Sequence, residues 1–231
     1  ALEIRDRYGD VSVNRVLITG TQVAGVYVSY MRGSSNDSVD VHLHHISIPQ
    51  RNYYGMQMRY NNYTNMHVSD VQINRSYYDG AQVEYNNYSK LHFVNLDIRN
   101  GDNEAMRVAY NQTGGTEVKV ELSNFVNNNQ RQYNDGIIYI GNYDYNNGSV
   151  TFNNNNFIMD DRWNNNSNWY YARIEAGGNG HDIDMTSNYW GPEVTAEMDS
   201  LGSRANISRI YDYWDGSWRS EVDYSNWLSS P

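Results

Sequence analysis

A small residue followed by alternating apolar side chains recurs five times along this chain, and that recurrence constrains the fold more than any other feature. Gly25-Val-Tyr-Val, Gly55-Met-Gln-Met, Gly80-Ala-Gln-Val, Ala105-Met-Arg-Val and Gly136-Ile-Ile-Tyr start 30, 25, 25 and 31 residues apart. A second column pairs a polar residue with an apolar one: Arg15-Val, His45-Ile, Asp70-Val, Asn95-Leu, Asn124-Phe, Asn156-Phe and Asn188-Tyr. Two columns that keep nearly the same step series define one repeating unit with insertions in its turns.

Ahead of the second column lie Val41 and Leu43, Met66 and Val68, Leu91 and Phe93, and Val120 and Leu122. Each pair is spaced by two, the period of a strand with one face buried. No apolar pattern of helical period is sustained before residue 192. A unit of about 25 residues is too short for a four-stranded propeller blade. Leucine-rich repeats have this period but demand recurring Leu, which is scarce here. The residues therefore predict an all-β right-handed parallel β-helix, a solenoid of about six to seven coils, its hand following the usual crossover preference.

Residues 1–190 are read as the repeats. Residues 191–231 are read as an aromatic cap or inter-subunit tail, with a short helix within 192–209 that has Pro192 in its first turn.

Composition agrees. The chain has 231 residues, 39% apolar and 19% charged, with 22 Tyr, 6 Trp and no Cys, and its mean hydropathy is -0.80. That apolar and aromatic content separates it from a disordered chain of similar polarity. A net charge of -10, with Lys90 and Lys119 its two lysines, argues against nucleic acid and anionic membrane surfaces. No apolar run approaches the roughly 20 residues of a membrane span. The absence of Cys excludes a disulfide scaffold, a thiolate metal site and a Cys nucleophile. It also suits an extracellular or cell-surface protein, as does a start at Ala1 resembling a processed chain.

The segment Asn188-Tyr-Trp-Gly-Pro resembles the Asn-x-Trp-Gly signature that often ends the right-handed parallel β-helix repeats of secreted, pectin-lyase-like proteins. The stretches Ile210-Tyr-Asp-Tyr-Trp-Asp and Val222-Asp-Tyr-Ser-Asn-Trp-Leu are similar to the C-terminal wrap that follows such repeats. The resemblance implies a fold more than an activity, because the superfamily holds lyases, hydrolases, adhesins and structural proteins.

Outward columns carry the candidate chemistry. Tyr30, Tyr60, Tyr85 and Tyr110 share one position, and Asn61, Asn86, Asn111 and Asn142 follow them. They are read as stacking and amide ladders, the alternative for the tyrosines being a sugar platform. The tyrosines' parity is that of Met58 and Val83, the inward set. A third stripe, Ser12, His42, His67, His92 and Glu121, with His44 nearby, is a candidate transition-metal site. The alternative is a surface ladder of duplicated polar residues. No other cofactor is expected, calcium being the second ion considered.

The acid candidates for catalysis are Asp160 and Asp161, beside Arg162, and His181 with Asp182. Both groups fall in turn-like polar segments, and the Asn-Thr-Asp and Gly-His-Gly motifs of β-helical hydrolases are absent, so the reading leans away from an enzyme. Eight Asn-x-Ser/Thr sequons, at Asn36, Asn62, Asn74, Asn87, Asn111, Asn147, Asn165 and Asn206, are candidate glycosylation sites.

Leu2 and Ile4 begin strand-like alternation at once, so the first coil is expected to be uncapped. With Trp214, Trp218 and Trp227 in the tail, this suggests head-to-tail self-assembly into a filament. A carbohydrate-binding or polysaccharide-cleaving domain is the alternative, with glycans as the partner.

Overall fold

The computed structural model describes residues 1–20, 23–111, 115–130, 136–141, 148–159, 169–175 and 182–231. The chain passes repeatedly through two parallel sheets. The first passes are β1 (Leu2–Arg5) with β2 (Val11–Leu17), and β3 (Ala24–Ser29) with β4 (Val39–Ile48). Next come β5 (Tyr54–Arg59) with β6 (Thr64–Asn74), then β7 (Ala81–Glu84) with β8 (Lys90–Arg99). The fifth pass is β9 (Met106–Ala109), β10 (Glu117–Glu121) and β11 (Asn124–Val126); the sixth is β12 (Gly136–Gly141), β13 (Ser149–Asn153) and β14 (Asn156–Ile158). After β15 (Tyr170–Glu175) and β16 (Ile183–Asp184) come helix α1 (Gly191–Leu201), β17 (Ile210–Tyr211) and β18 (Val222–Asp223).

The first sheet orders its eight strands β1-β3-β5-β7-β9-β12-β15-β17. The second runs β2-β4-β6-β8-β10-β13-β16-β18, with β11 joined to β8 and β14. Every pairing between these strands is parallel. The chain is therefore all-β with one short C-terminal helix.

The long strands of the second sheet show how the sequence builds this. In β4 the buried residues are Val39, Val41 and Leu43, then Ile46 and Ile48, so the inward parity changes once. The change falls at His45, whose φ is +53. Asp70 and Asn95 take the same left-handed conformation in β6 and β8. A residue there breaks the alternation and bends the strand. Polar residues occupy the column because Asn, Asp and His tolerate that region best.

The sequence columns hold through four passes and then slip. Leu122, not Asn124, takes the left-handed bend after Asn95, because Asn124 pairs with Asp97. Asn154 and Ser187 follow Leu122, since Asn156 pairs with Tyr189. In the first sheet Met106 pairs with Ile138, which places Ala105 beside Ile137 rather than Gly136. Insertions in the connecting turns shifted the motifs by two residues in the second sheet, which keeps each face, and by one in the first, which puts Ile138 and Ile140 inward and Tyr139 outward.

One apolar cluster fills the space between the sheets, with Val26, Met56, Val83 and Ile138 from one and Leu43, Val68, Phe93, Val120 and Phe152 from the other. Small residues begin the strands of the first sheet for steric reasons. A Cβ on Gly80 would meet the Ile98 side chain, and the Ala105 carbonyl oxygen at 2.6 Å.

Two amide ladders run through the interior. Asn61, Asn86 and Asn111 are buried at one turn. Beyond Leu96, the column that began with Ile46 and Val71 becomes Ser123, Asn155 and Asn188. Asn155 accepts from the Ser123 N–H at 3.0 Å, and its Nδ2 donates to the Val120 carbonyl at 3.1 Å.

The Asn188-Tyr-Trp-Gly segment closes the repeats residue by residue. Asn188 donates to the Phe152 and Met185 carbonyls, both at 2.6 Å. Trp190 is fully buried against Phe157, with ring centroids 4.8 Å apart. Gly191, at φ +74, turns the chain into α1, where a Cβ would strike the Tyr171 hydroxyl. The sheets continue past residue 190, since Ile210 of β17 pairs with Ala172 and Val222 of β18 with Ile183.

Candidate functional site

The outer face of the second sheet carries the histidines. His42 lies opposite Ser12 on one side and His67 on the other, and His67 lies opposite His92. The register then places Lys119, not Glu121, opposite His92. Glu121 belongs to the adjacent outward row, opposite Val94, because a stripe drawn by counting from the wrong bend residue overshoots by two. It still reaches the stripe diagonally, its Oε1 lying 2.8 Å from His92 Nε2.

His44, two residues from His42 on the same face, completes a field of four imidazoles. The His44–His67 centroids are 5.5 Å apart, and His67–His92 5.2 Å. His44 Nδ1 is 2.6 Å from Ser69 Oγ. Burial, and then the neighbouring His92, His44 and His42, hold the His67 imidazole below its ordinary pKa. The hydrogen bond from Lys119 holds the Glu121 carboxyl below its usual range. Among the described residues, no three His, Cys, Asp or Glu side chains already converge on one ion position.

The outer face of the first sheet holds a second constellation, which the sequence reading did not single out. Tyr27, Gln57, Gln82, Arg107, Tyr139, Arg173 and Tyr211 stand in one row. Gln57 Nε2 donates to Gln82 Oε1 at 2.6 Å. Arg107 donates from Nε to Glu84 Oε1 at 2.9 Å, and its guanidinium lies 4.1 Å from the Tyr139 ring centre. Burial pushes the Asp79 carboxyl up, while a hydrogen bond with Glu104 and the charge of Arg107 oppose that shift. Asp79 and Glu104 thus form a buried carboxyl pair beside Arg107, which donates from Nη1 to Glu104 Oε1 at 3.4 Å.

Such a pair has the chemistry of an acid–base site, but Asp79 is 2% exposed and Glu104 1%. The network cross-braces four passes rather than meeting a substrate. The signal for it was the Gln-Gln-Arg run inside the first repeat column, read with Glu84 two residues from Gln82. Beside it, Tyr27, Tyr54, Gln57, Arg5 and Arg59 line an open depression of about 520 Å³.

Of the catalytic candidates, Asp160, Asp161 and His181 lie outside the described residues. Asp182 is on the surface, accepting from Arg204 at 2.9 Å. Asn142, Asn147 and Asn165 also lie outside them. The tyrosines correct their parity: Tyr30, Tyr60, Tyr85 and Tyr110 are left-handed, with φ of 55 to 59, and turn outward. Their rings stack in series, 5.3, 4.9 and 5.0 Å apart and within 9° of parallel. Tyr60 and Tyr85 are stacked on both ring faces, which suits a brace rather than a sugar platform.

The sequons sort by environment. Asn36, Asn74 and Asn206 are exposed, and Asn62 and Asn87 half-buried. Asn111 is corrected: its side chain is buried in the ladder, where Nδ2 donates to the Val83 carbonyl and Oδ1 accepts from the Asn86 N–H. At the equivalent sequons Asn62 and Asn87, the Thr64 and Ser89 hydroxyls donate back to the Asn62 and Asn87 carbonyls. A turn motif thus accounts for their recurrence.

At the first pass Ile4 is buried and Leu2 half-buried. The outer edges of β1 and β2 pair with no strand among the described residues. At the other end Trp227 donates from Nε1 to Asp199 at 2.8 Å, and the Tyr224 hydroxyl meets the Gly202 and Ala205 carbonyls. Trp214 and Trp218 remain 45% and 53% exposed.

No family model, curated protein or solved structure matches this chain. Among the described residues, no helix is long and apolar enough to cross a membrane.

Proposed function

We propose that this chain is a structural subunit, a right-handed parallel β-helix of the extracellular type that stacks head to tail into a filament. The observation that supports the reading is that the outer edges of β1 and β2 pair with no strand among the described residues. An exposed strand edge is a template for another strand. Half-buried Leu2, Val11, Val13 and Val16 lie along those edges. At the opposite end, the segment joining β17 to β18 exposes Trp214 and Trp218. Head-to-tail stacking keeps every strand parallel and covers apolar surface on both partners. The ladders favour the same role, because Tyr and Asn columns spend their stacking and hydrogen bonds on one another along the axis.

Electron microscopy and sedimentation of the concentrated chain test this. Filaments that disappear when Ser12→Pro removes an edge donor support the reading. Discrete particles of 26.8 kDa under all conditions overturn it.

One observation favours a second reading. The depression lined by Tyr27, Tyr54 and Arg59 combines tyrosine rings with a cation, a combination that suits a sugar. Binding on a glycan array that is lost in Tyr54→Ala supports it, and an array without signal removes it.

A further inference from the structure

His42 and His44 are alternate residues of β4 on one face, and His67 of β6 lies directly opposite His42. The result is a His-x-His pair on one strand with a third imidazole on its neighbour. The three centroid separations are 6.0 Å for His42–His44, 6.2 Å for His42–His67 and 5.5 Å for His44–His67. Three imidazoles that bind one tetrahedral ion through nitrogens at about 2.0–2.1 Å have centroids about 5 Å apart. The triangle is therefore within about 1 Å of a closed site.

We propose that His42, His44 and His67 form a three-imidazole site for a d-block dication such as Zn²⁺ or Co²⁺, with the fourth position open to solvent. The ring nitrogens do not yet converge. Convergence needs only side-chain rotation, because His42 is exposed, His44 and His67 are half-exposed, and the strands beneath are fixed by Val41, Leu43, Met66 and Val68. Ser69 Oγ, 2.6 Å from His44 Nδ1, leaves Nε2 as the free donor of that ring. An outer hydrogen bond of this kind orients a ligating imidazole and fixes its tautomer. Among the ring nitrogens of the field, His92 Nε2 is held by Glu121 at 2.8 Å, which sets this fourth histidine apart from the triad. An all-nitrogen donor set selects zinc, copper, nickel or cobalt over calcium, which requires oxygen ligands.

The test is titration of the full chain with Co²⁺, read by visible absorption, and with Zn²⁺, read by calorimetry. The proposal expects one ion per chain and the intense bands of tetrahedral cobalt. His42→Gln, His44→Gln and His67→Gln should each weaken binding by about tenfold or more. His92→Gln should leave affinity unchanged. The substitutions lie on the outer face, and unchanged circular dichroism shows that the fold is intact. Absence of binding overturns the proposal. So does a loss in His92→Gln equal to that in His44→Gln, or equal binding by all four variants.

Discussion

Asn86 hydrogen-bonds in three directions from one buried amide, and Asn61 of the pass before it is one of its partners. Asn61 Nδ2 donates to Asn86 Oδ1 at 2.8 Å, while Asn86 Nδ2 donates to the Met58 carbonyl at 2.9 Å and toward Asn111 Oδ1 at 3.3 Å. The side chains therefore brace the turn beside backbone bonds such as that from the Asn87 N–H to the Asn61 carbonyl at 2.8 Å. Asn86→Ala leaves the Met58 carbonyl and the Asn61 amide without these partners in a dry interior. It is expected to cost about 2–4 kcal/mol, read by urea denaturation.

The tyrosine stack gives a graded prediction. Tyr85 stacks on Tyr60 and Tyr110, whereas Tyr30 stacks on Tyr60 alone. Both positions share a left-handed backbone, with φ of 56 and 55, so the backbone penalty for Ala cancels between them. Tyr85→Ala should lose about 1–3 kcal/mol, and Tyr30→Ala about half as much. Equal losses in thermal melts would show that the rings do not act as a continuous stack.

Ser89 separates the turn role of a sequon from its glycan. Its hydroxyl donates to the Asn87 carbonyl at 2.8 Å and accepts from the Thr64 N–H at 3.2 Å. Ser89→Ala and Asn87→Gln both abolish the sequon. In protein made without glycosylation, Ser89→Ala should lose about 1–3 kcal/mol, and Asn87→Gln less.

The tail docks with a pH dependence set by Asp212. Burial raises its carboxyl to about 6, although the Val222 and Trp214 N–H groups, at 2.9 and 3.0 Å, pull the other way. An acid with a raised folded-state pKa contributes stability below its unfolded pKa, near 4, and loses it as pH rises through about 6. Fluorescence of the tail tryptophans should therefore report tighter docking at pH 4 than at pH 7. Asp212→Asn should flatten that dependence.

Much of the fold was legible because its signals are local. The Gly25, Gly55 and Gly80 column, the pairs Leu43 with Val41 and Phe93 with Leu91, and the Asn61–Asn86–Asn111 ladder all emerged from spacing alone. The candidate site was less legible. His42, His67 and His92 were aligned correctly, because the second, third and fourth passes differ by a constant 25 residues. Glu121 was misplaced because the next step between bends, from Asn95 to Leu122, is 27 residues. Leu122 is an unusual residue for a left-handed bend, and Asn124 looked the better match.

The sequence by itself determined the inward set where the repeat is regular, as at Val41 and Leu43, Met66 and Val68, and Leu91 and Phe93, whereas Leu122, paired with Val120 on spacing, is 58% exposed at a bend. It also determined that strands pair in parallel at a repeat of about 25 to 32 residues. Only the tertiary structure decided the register across insertions, because a slip of two residues preserves every face and costs the alternation nothing. The same holds for the buried Asp79–Glu104 pair and for the three imidazoles of His42, His44 and His67. Each depends on which side chains of different passes come within hydrogen-bonding or ligand reach, and distance across a sheet is set by pairing rather than by spacing along the chain.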